Sequence, residues 1–371
     1  MPSSRSGSSP WNKFPLKTGH RWLNLLLLFV PAAIVFDLLH APSPLIFIAS
    51  ALAIAPLASV LGESTGVLAA CSGPAIGGLL NATMGNATEM IIALVALHAG
   101  HINVVKASLS GSIIGNLLLV LGLSLVAGGS RHSIQRFSRH TTAMNSTMLM
   151  IAVTALVMPA VFNLTVFGTL QHHDINLEHL SLWTSGVLIL LYLLNLLFVF
   201  RTRHGKVEAM QQEEGASQTS RGQAIATLAL ATVLIAIMSE VLVGQIAPVT
   251  KALGMTELFV GVIVVALVGN AAENSTAIIM ARRNKLDLSM AIATGASTQI
   301  ALFVAPVLVF ISFAMEDPMT LVFNGFEIAA IALSVVIVAM ISADGETNWF
   351  EGAQLLAVYA IVAVAFYFVP E

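Results

Sequence analysis

Two short motifs place a glutamate inside an apolar stretch of this 371-residue chain, "GNATE" at residues 85–89 and "GNAAE" at residues 269–273. Glu89 and Glu273 each lie near the middle of about twenty otherwise uncharged residues, a length that can cross a bilayer. A carboxylate in such a segment costs roughly 2.5 to 3.5 kcal/mol on insertion scales, and such residues are by default candidates for function. Two carboxylates in the same pattern therefore indicate a cation site.

Further side-chain oxygens accompany each glutamate. Asn86 and Asn270 precede the glutamates by three residues, so each asparagine shares a helix face with its carboxylate. Gly111 and Gly295 each follow the glutamate of their half by 22 residues, and polar side chains cluster beside both glycines. Roughly six to eight oxygen ligands around two negative charges suit Ca²⁺, whereas zinc and softer metals favour His or Cys. The predicted ligands are Glu89, Glu273, Asn86, Asn270, Ser112 and Gln299.

The composition is that of a membrane protein. Hydrophobic residues make up 57% of the chain and charged residues only 9%, which is far from the composition of a soluble domain. Cys71 is the single cysteine, so an intrachain disulfide is excluded. The net charge of −3 gives no indication of a nucleic-acid partner. Because the sequence has no HExxH motif, phosphate loop or paired nucleophile and base, we predict that it is not an enzyme and needs no cofactor.

Eleven apolar stretches are long enough to cross a bilayer at roughly 20 residues each. They lie near residues 22–40, 44–62, 78–98, 104–126, 142–162, 181–200, 223–245, 256–280, 287–313, 319–341 and 350–369. Residues 1–20 are rich in Ser, Gly, Pro and basic groups and predict a disordered cytosolic tail before a first transmembrane helix at 21–41. A signal peptide is disfavoured there, because no small-residue cleavage site follows.

Basic residues fall mainly on one side of the predicted membrane. If the N-terminus is cytosolic, only Lys106 and Lys251 of the 16 Lys and Arg residues lie outside. This asymmetry supports the count of eleven spans, because a missed span would move many charges to the wrong side. The sequence thus predicts an all-α, multi-pass membrane protein with a cytosolic N-terminus. A bacterial-type inner membrane is favoured over an organellar, vacuolar membrane.

A polar segment at 203–222 divides the chain and is interpreted as a cytosolic linker. With the first span set aside, residues 42–202 and 223–371 each hold five spans, and each motif falls in the second span of its group. Because five is odd, equivalent spans cross in opposite directions, which predicts two inverted-topology repeats of five helices. The glutamates then meet near the midplane, where the adjoining glycines permit close helix approach or a local break.

These motifs resemble the two repeats of the cation/proton exchanger (CAX) family of the Ca²⁺/cation antiporter superfamily. The resemblance rests on "GPAIGGLLNATMGNATEMIIALVAL" with "GSIIGNLLLVLG", paired with "GNAAENSTAIIMARRNKLDLSMAIATGASTQIALFVAP", and it covers most of the chain. It implies an eleven-span fold with Ca²⁺ bound between the repeats by the paired glutamates. It also implies that Glu63 and Glu240 belong to the ion pathway.

Three features leave alternatives open. Many members of that family carry His after the glutamate of the second repeat, and the residue here is Asn274, so a proton-handling role of that position is not carried over. Glu63 and Glu240 lie nearer span ends, where a solvated structural role competes with an ion pathway. An outer loop could bind a metal through histidines, but we interpret it as a solvated loop. Its histidines are His172, His173 and His179.

Proton coupling follows from the predicted carboxylates. A buried carboxyl group without a cation favours its protonated form, so Ca²⁺ and H⁺ compete for the same oxygens, and binding either ion neutralises the site. The predicted function is therefore Ca²⁺/H⁺ antiport that moves Ca²⁺ out of the cytosol. A Na⁺-coupled Ca²⁺ exchanger of the same superfamily is the alternative, and a cation channel or ion-gated sensor is a third hypothesis. The lipid bilayer is the remaining partner, and a homo-oligomer stays open.

Overall fold

The computed structural model describes residues 21–169, 175–202, 220–315 and 317–369. The predicted tail at 1–20 and residues 203–219 of the predicted linker lie outside these ranges. Within the described ranges the chain is α-helical, apart from one two-stranded ladder. The helices are α1 Arg21–Leu26, α2 Phe29–Leu38, α3 Ser43–Cys71, α4 Pro74–Met84, α5 Ala87–His98, α6 Ile102–Gly129, α7 Arg139–Phe167, α8 Ile175–Thr202, α9 Arg221–Gly244, α10 Ile246–Leu253, α11 Glu257–Gly269, α12 Ala271–Arg282, α13 Leu286–Ser312, α14 Gly325–Ile341 and α15 Trp349–Phe368.

Helix length and composition identify a multi-span membrane protein. In the part of the chain that the structure describes, seven helices are long and apolar enough to cross a bilayer, or eight if α10 and α11, bent by 116°, form one span. Shorter apolar helices include Ala87–His98 and Gly325–Ile341. The predicted all-α membrane class is confirmed by these helices. The count of eleven spans stays a prediction, because it requires broken and short helices to be counted as crossings.

Several element boundaries differ from the predicted ones, among them the start of α14 and the end of α3. The stretch predicted at 319–341 becomes helical only at Gly325, because Asn324 and Glu327 form a reciprocal cap that fixes the helix start there. The backbone before Gly325 makes hydrogen bonds outside this helix. For example, the N–H of Met319 donates to the Ser312 hydroxyl at 2.8 Å. The stretch predicted at 44–62 instead continues as α3 through Cys71, because no proline follows position 62 until Pro74.

Both motif-bearing stretches are broken helices. The stretch predicted at 78–98 is divided into α4 and α5 at Gly85 and Asn86, and the stretch predicted at 256–280 is divided into α11 and α12 at Asn270. The two asparagines have nearly the same backbone conformation, with φ and ψ of −99° and 21° in the first break and −91° and 6° in the second. A break of this kind leaves the end groups of both half-helices free to face a ligand.

Close helix contact brings the two halves of the chain together beside the breaks. Helix α6 meets α11 so closely that a Cβ atom at Gly111 would overlap the backbone of Val262, and one at Gly261 would overlap the Ala107 side chain. Only glycine permits this approach, which places Ser112, the neighbour of Gly111, against the second motif. The helix then continues as π-helical turns at 115–120, a feature often found at functional sites.

A short ladder joins the loops at one end of the bundle. Strand β1, Gln135–Arg136, pairs antiparallel with β2, Glu346–Thr347. The ladder connects the segment after α6 with the segment after α14, so it also joins the two halves. The ion pair between Arg136 and Glu346, at 3.0 Å, is exposed, and such pairs contribute little stability. The ladder is a local connection and does not change the all-α class.

Candidate cation site

Each motif glutamate contacts the helix break of the opposite half. Glu273 lies against the break at Gly85, and Glu89 lies against the break at Gly269. A Cβ atom added at Gly85 would lie 3.3 Å from Oε1 of Glu273, and one added at Gly269 would lie 3.4 Å from Oε1 of Glu89. The glycines therefore leave the space that the opposite carboxylates occupy. This reciprocal arrangement brings both acids to the interface between α4–α5 and α11–α12.

The motif asparagines also reach across the interface. Nδ2 of Asn86 donates a hydrogen bond to Oε1 of Gln299 at 2.5 Å, and Nδ2 of Asn270 donates to Oγ of Ser112 at 2.9 Å. Asn270 donates as well to the carbonyl of Ala266 at 3.0 Å. Because the amide nitrogens hold these contacts, the amide oxygens of both asparagines point away from them. The four residues that sequence analysis added to the glutamates thus form two cross-half pairs.

Four oxygen atoms at this interface are buried without a hydrogen-bond partner in the described part of the chain. They are Oδ1 of Asn86, Oδ1 of Asn270, Oε2 of Glu89 and Oε2 of Glu273. Buried polar atoms are almost always paired, and an unpaired carboxylate oxygen in a membrane protein is especially costly. Two carboxylate and two amide oxygens facing one interface match the hard-oxygen preference of Ca²⁺. A bound cation or proton would satisfy these atoms.

Helix ends contribute to the electrostatics of the site. Glu89 and Glu273 lie in the first turns of α5 and α12. The free N–H groups at a helix start carry partial positive charge and stabilise a nearby carboxylate. The opposing half-helices, α4 and α11, end at the same breaks, and helix C-termini expose carbonyl oxygens that attract cations. The helix starts at the breaks therefore stabilise the two carboxylates.

A small cavity opens beside Glu89. Its polar wall includes Ser108 and Ser112, which are four residues apart and therefore on one face of α6. Apolar side chains form the rest, so the cavity has a low-dielectric wall in which charge interactions are strong. The remaining lining residues are Ile92, Leu109, Val265, Ala266 and Ile300. Sequence analysis did not select Ser108, although its spacing from Ser112 was the signal that could have done so.

Glu63 and Glu240 do not line this cavity. Both side chains are exposed, on α3 and α9, two helices that pack against each other. The hydroxyl of Ser59 donates to Glu63 at 3.4 Å, a weak contact one helical turn away. Their predicted place in an ion pathway stays a prediction.

The histidine loop is only partly described. His172 and His173 lie outside the described ranges, and His179 lies exposed on α8. Among residues 21–169, 175–202, 220–315 and 317–369, no three His, Cys, Asp or Glu side chains form a cluster that could hold a metal ion. The candidate site accordingly depends on two carboxylates and neutral oxygens.

A buried charged cluster that the sequence analysis missed anchors α6. Glu327, 2% exposed, accepts a hydrogen bond from the Ser110 hydroxyl at 2.6 Å. Lys106 donates to the carbonyl of Val322 at 3.0 Å, just before α14. These contacts tie the helix that carries Ser112 to α14. The available signal was the Asn-x-x-Glu pattern at 324–327, which marks a helix start and had been included in an apolar span.

Comparisons with known proteins agree with this architecture. The family model described as sodium/calcium exchanger protein matches residues 42–201 and 223–368. A Ca²⁺/H⁺ antiporter of Aphanothece halophytica is 42% identical over 360 residues, which cover 93% of this chain and 96% of the relative. The Ca²⁺/H⁺ antiporter ChaA of Bacillus subtilis strain 168 is 44% identical over 343 residues, covering 91% and 96%. The solved structure of native YfkE has a TM-score of 0.81 at 41% identity, covering 94% of this chain and 100% of that chain.

A multi-span helical fold with unpartnered buried oxygens between its halves is consistent with a membrane ion transporter. The chain belongs to the sodium/calcium exchanger protein family, and the resemblance to its cation/proton exchangers is confirmed. A more distant solved structure, described as the H⁺/Ca²⁺ exchanger CAX, has a TM-score of 0.69 at 14% identity and shows the shared fold alone.

Proposed function

We propose that this protein is a Ca²⁺/H⁺ antiporter that moves Ca²⁺ out of the cytosol and protons in, at the interface between the two broken helices. The observation that carries the proposal is the set of four buried, unpartnered oxygens on Glu89, Glu273, Asn86 and Asn270. The printed names of the two bacterial relatives, both Ca²⁺/H⁺ antiporters, support the same ion pair. We also propose that the protein is integral to a bacterial-type inner membrane and that its N-terminus is cytosolic.

The ligands divide into charged, neutral and orienting groups. Glu89 and Glu273 supply the two negative charges that balance Ca²⁺, and the amide oxygens of Asn86 and Asn270 add neutral ligands. Gln299 and Ser112 accept hydrogen bonds from those amides, so they hold the amide oxygens toward the site. Ser112 and Gln299 were predicted as ligands. Their hydrogen bonds suggest instead that their main role is to orient the amide groups of Asn270 and Asn86.

Charge balance accounts for exchange rather than leak. An empty site with two ionised carboxylates in an apolar wall is costly, because buried charge without a partner loses its hydration. One Ca²⁺ neutralises both carboxylates, and so do protons on both. Only a site neutralised by Ca²⁺ or by protons can be closed off from water at low cost. Each change of the site's exposure from one side of the membrane to the other therefore carries either Ca²⁺ or protons. This competition couples the two flows through the same oxygens.

Inverted repeats at 42–202 and 223–371, within eleven spans, would provide alternating access. Three correspondences support that organisation: both motif spans break at a Gly-Asn pair, both glutamates lie in the turn after the break, and both following helices contain π-helical turns, at 115–120 and 300–304. Rocking of the helix pair α3 and α9 against the remainder would expose the site to each side in turn.

The decisive experiment is ⁴⁵Ca²⁺ uptake into proteoliposomes under an imposed pH gradient, with and without Na⁺. We expect Ca²⁺ to accumulate on the acidic side as protons leave it, without Na⁺. Uptake that requires Na⁺ and ignores the pH gradient would establish the Na⁺-coupled exchanger instead. Uptake driven by a membrane potential alone, with no proton movement, would indicate a channel.

The topology has its own test, which uses the single cysteine. Cys71 is exposed and would first be replaced by Ser, giving a background without thiols. A cysteine in the loop 168–178 should then react with an impermeant reagent from outside, and one near residue 210 only from the cytosol. Labelling of both from the same side would contradict the inverted-repeat organisation while leaving Ca²⁺ transport itself unaffected.

A further inference from the structure

A second polar pocket lies behind the candidate cation site, between α6, α11, α12 and α15. Its polar lining is made by neutral side chains alone, and it shares Ser112 and Ala266 with the cavity beside Glu89. The two cavities are therefore separated by a thin wall that contains the hydrogen bond from Asn270 to Ser112. The polar lining residues are Ser112, Asn116, Asn270, Asn274 and Tyr359.

Unpartnered atoms indicate what this pocket holds. Asn116 is 2% exposed and Asn274 is 9% exposed, and Nδ2 of Asn116 and Oδ1 of Asn274 have no hydrogen-bond partner in the described ranges. One of these atoms is a donor and the other an acceptor. A metal ion would suit the oxygen but not the N–H groups, and an apolar occupant would suit neither. Water both donates and accepts, and a polar cavity with several partners is where buried water is found.

Ser112 can connect this water to the carboxylates. Its oxygen accepts from Asn270, while the structure gives its own hydrogen no acceptor within the described residues, so the hydroxyl can donate into either cavity. Glu89 lines the cavity on the other side of the same serine. A chain of hydrogen bonds can thus run from the second polar pocket through Ser112 to the candidate site.

We propose that the pocket formed by Asn116, Asn274 and Tyr359 is a water-binding site that carries protons to and from the candidate cation site by a route separate from that of Ca²⁺. The inference rests on the proposed function. A proton that leaves Glu89 joins the first water of the hydrogen-bonded chain, and a different proton leaves the last water. The number of protons on the waters is unchanged, so no other reactant is needed. The pocket offers no carboxylate, and Ca²⁺ needs about six to eight oxygen ligands, so it does not pass the cation.

The test removes the polar groups while keeping side-chain shape. Asn116→Leu and Tyr359→Phe are compared with Asn163→Leu and Tyr192→Phe, which make the same changes at residues that line neither cavity. Equilibrium ⁴⁵Ca²⁺ binding should stay within about twofold in all four variants, because no proposed ligand is removed. The rate of Ca²⁺/H⁺ exchange should fall about tenfold in the two pocket variants alone, because each removes one hydrogen bond from the chain.

A structural readout accompanies the transport assay. Hydroxyl-radical footprinting with mass spectrometry should modify Tyr359 in the wild-type protein, because radicals form from water beside it, and this modification should fall in Asn116→Leu. A wild-type Tyr359 that resists modification would mean a dry pocket and would overturn the inference. Equal losses of Ca²⁺ binding and exchange would overturn it too, by assigning the pocket to the Ca²⁺ site.

Failure of the inference is distinguishable from failure of the proposed function. If the wild-type protein does not exchange Ca²⁺ for H⁺, the proposed function fails first. If it does, and both pocket variants exchange at the wild-type rate, only the proton route is wrong. Should Asn116→Leu elute as an aggregate in size-exclusion chromatography, Tyr359→Phe decides the outcome, because it removes one oxygen without adding volume.

Discussion

The two motif regions share a scaffold and differ in their surroundings. In both, a Gly-Asn break precedes a glutamate in the first turn of a half-helix, and the asparagine donates to the opposite half. The residue after the glutamate differs, being Met90 in the first motif and the buried Asn274 in the second. π-helical turns at 260–265 precede the second break only, since the corresponding part of α4 is regular.

This difference indicates which features serve a common task and which do not. Features present twice, namely the break, the carboxylate and the amide oxygen, are the ones that our proposal assigns to one cation shared by the halves. Asn274 has no polar counterpart at position 90, and it lines the polar pocket between α6, α11, α12 and α15.

The largest expected effect comes from removing either charge. Glu89→Gln or Glu273→Gln keeps the side-chain shape but leaves Ca²⁺ with an uncompensated positive charge in an apolar wall. We expect exchange to fall by at least about a hundredfold in each single variant, because a buried charge has lost its partner. The measurement is ⁴⁵Ca²⁺/H⁺ exchange in vesicles matched for protein content.

The comparison of the two acids carries its own control. Glu257→Gln changes a glutamate at the far end of α11, where it pairs with His101 at 3.8 Å, and should leave exchange near the wild-type rate. Equal losses at positions 89 and 273 would support one shared cation. Wild-type exchange in either variant would mean that the acids are structural and that the site lies elsewhere.

The next effect comes from the neutral ligands. Asn86→Ala and Asn270→Ala each remove one amide oxygen and should weaken Ca²⁺ binding about tenfold, the loss expected for a single contact with a charged group, while slow exchange persists. Titration of ⁴⁵Ca²⁺ binding to the purified protein measures this. Ser112→Ala should have a smaller effect than Asn270→Ala, since Ser112 orients the asparagine. The reverse order would make Ser112 a direct ligand.

Sequence alone predicted the residues of the candidate site better than their arrangement. Carboxylates in apolar segments stand out because their insertion cost is large, and Asn86, Asn270, Ser112 and Gln299 followed from spacing. The crossing of Glu89 to Gly269 could not be predicted, because it depends on how two distant breaks meet. Glu327 was missed for a related reason, since a carboxylate at a helix start looks like a cap until Ser110 is seen beside it.

A moderate effect is expected from filling the glycine positions at the breaks. Gly85→Ala would bring a Cβ atom to 2.9 Å from the carbonyl oxygen of Asn81, which is backbone, while Gly269→Ala would meet the flexible side chain of Glu89 at 3.1 Å. We expect exchange to fall about fivefold for Gly85→Ala and less for Gly269→Ala, since strain from overpacking is lower where the neighbour can move.

Gly295→Ala is the matched control, because a Cβ atom there would meet nothing within 4 Å. Its exchange rate should equal that of the wild-type protein, which separates local crowding from a general effect of alanine in a helix. If Gly269→Ala lowered the exchange rate more than Gly85→Ala, the Glu89 side chain would be unable to move away from the added Cβ atom. That result would indicate that the first half, which carries Glu89, is the more rigid of the two halves at the site.

The smallest effect is expected from Glu63→Gln and Glu240→Gln, the two acids that lie exposed outside the cavity. An exposed carboxylate can raise the local cation concentration, but salt screens it over about 10 Å at 0.1 M ionic strength. We expect the exchange rate to fall by about twofold at low ionic strength and to recover in high salt, with Ca²⁺ binding unchanged, because long-range attraction affects association rather than the bound state. Glu63→Lys should enlarge the low-salt effect, since it reverses the charge. A salt-independent loss as large as that of Glu89→Gln would instead make these residues ligands, and the ion would then have to leave the interface between the two breaks during transport.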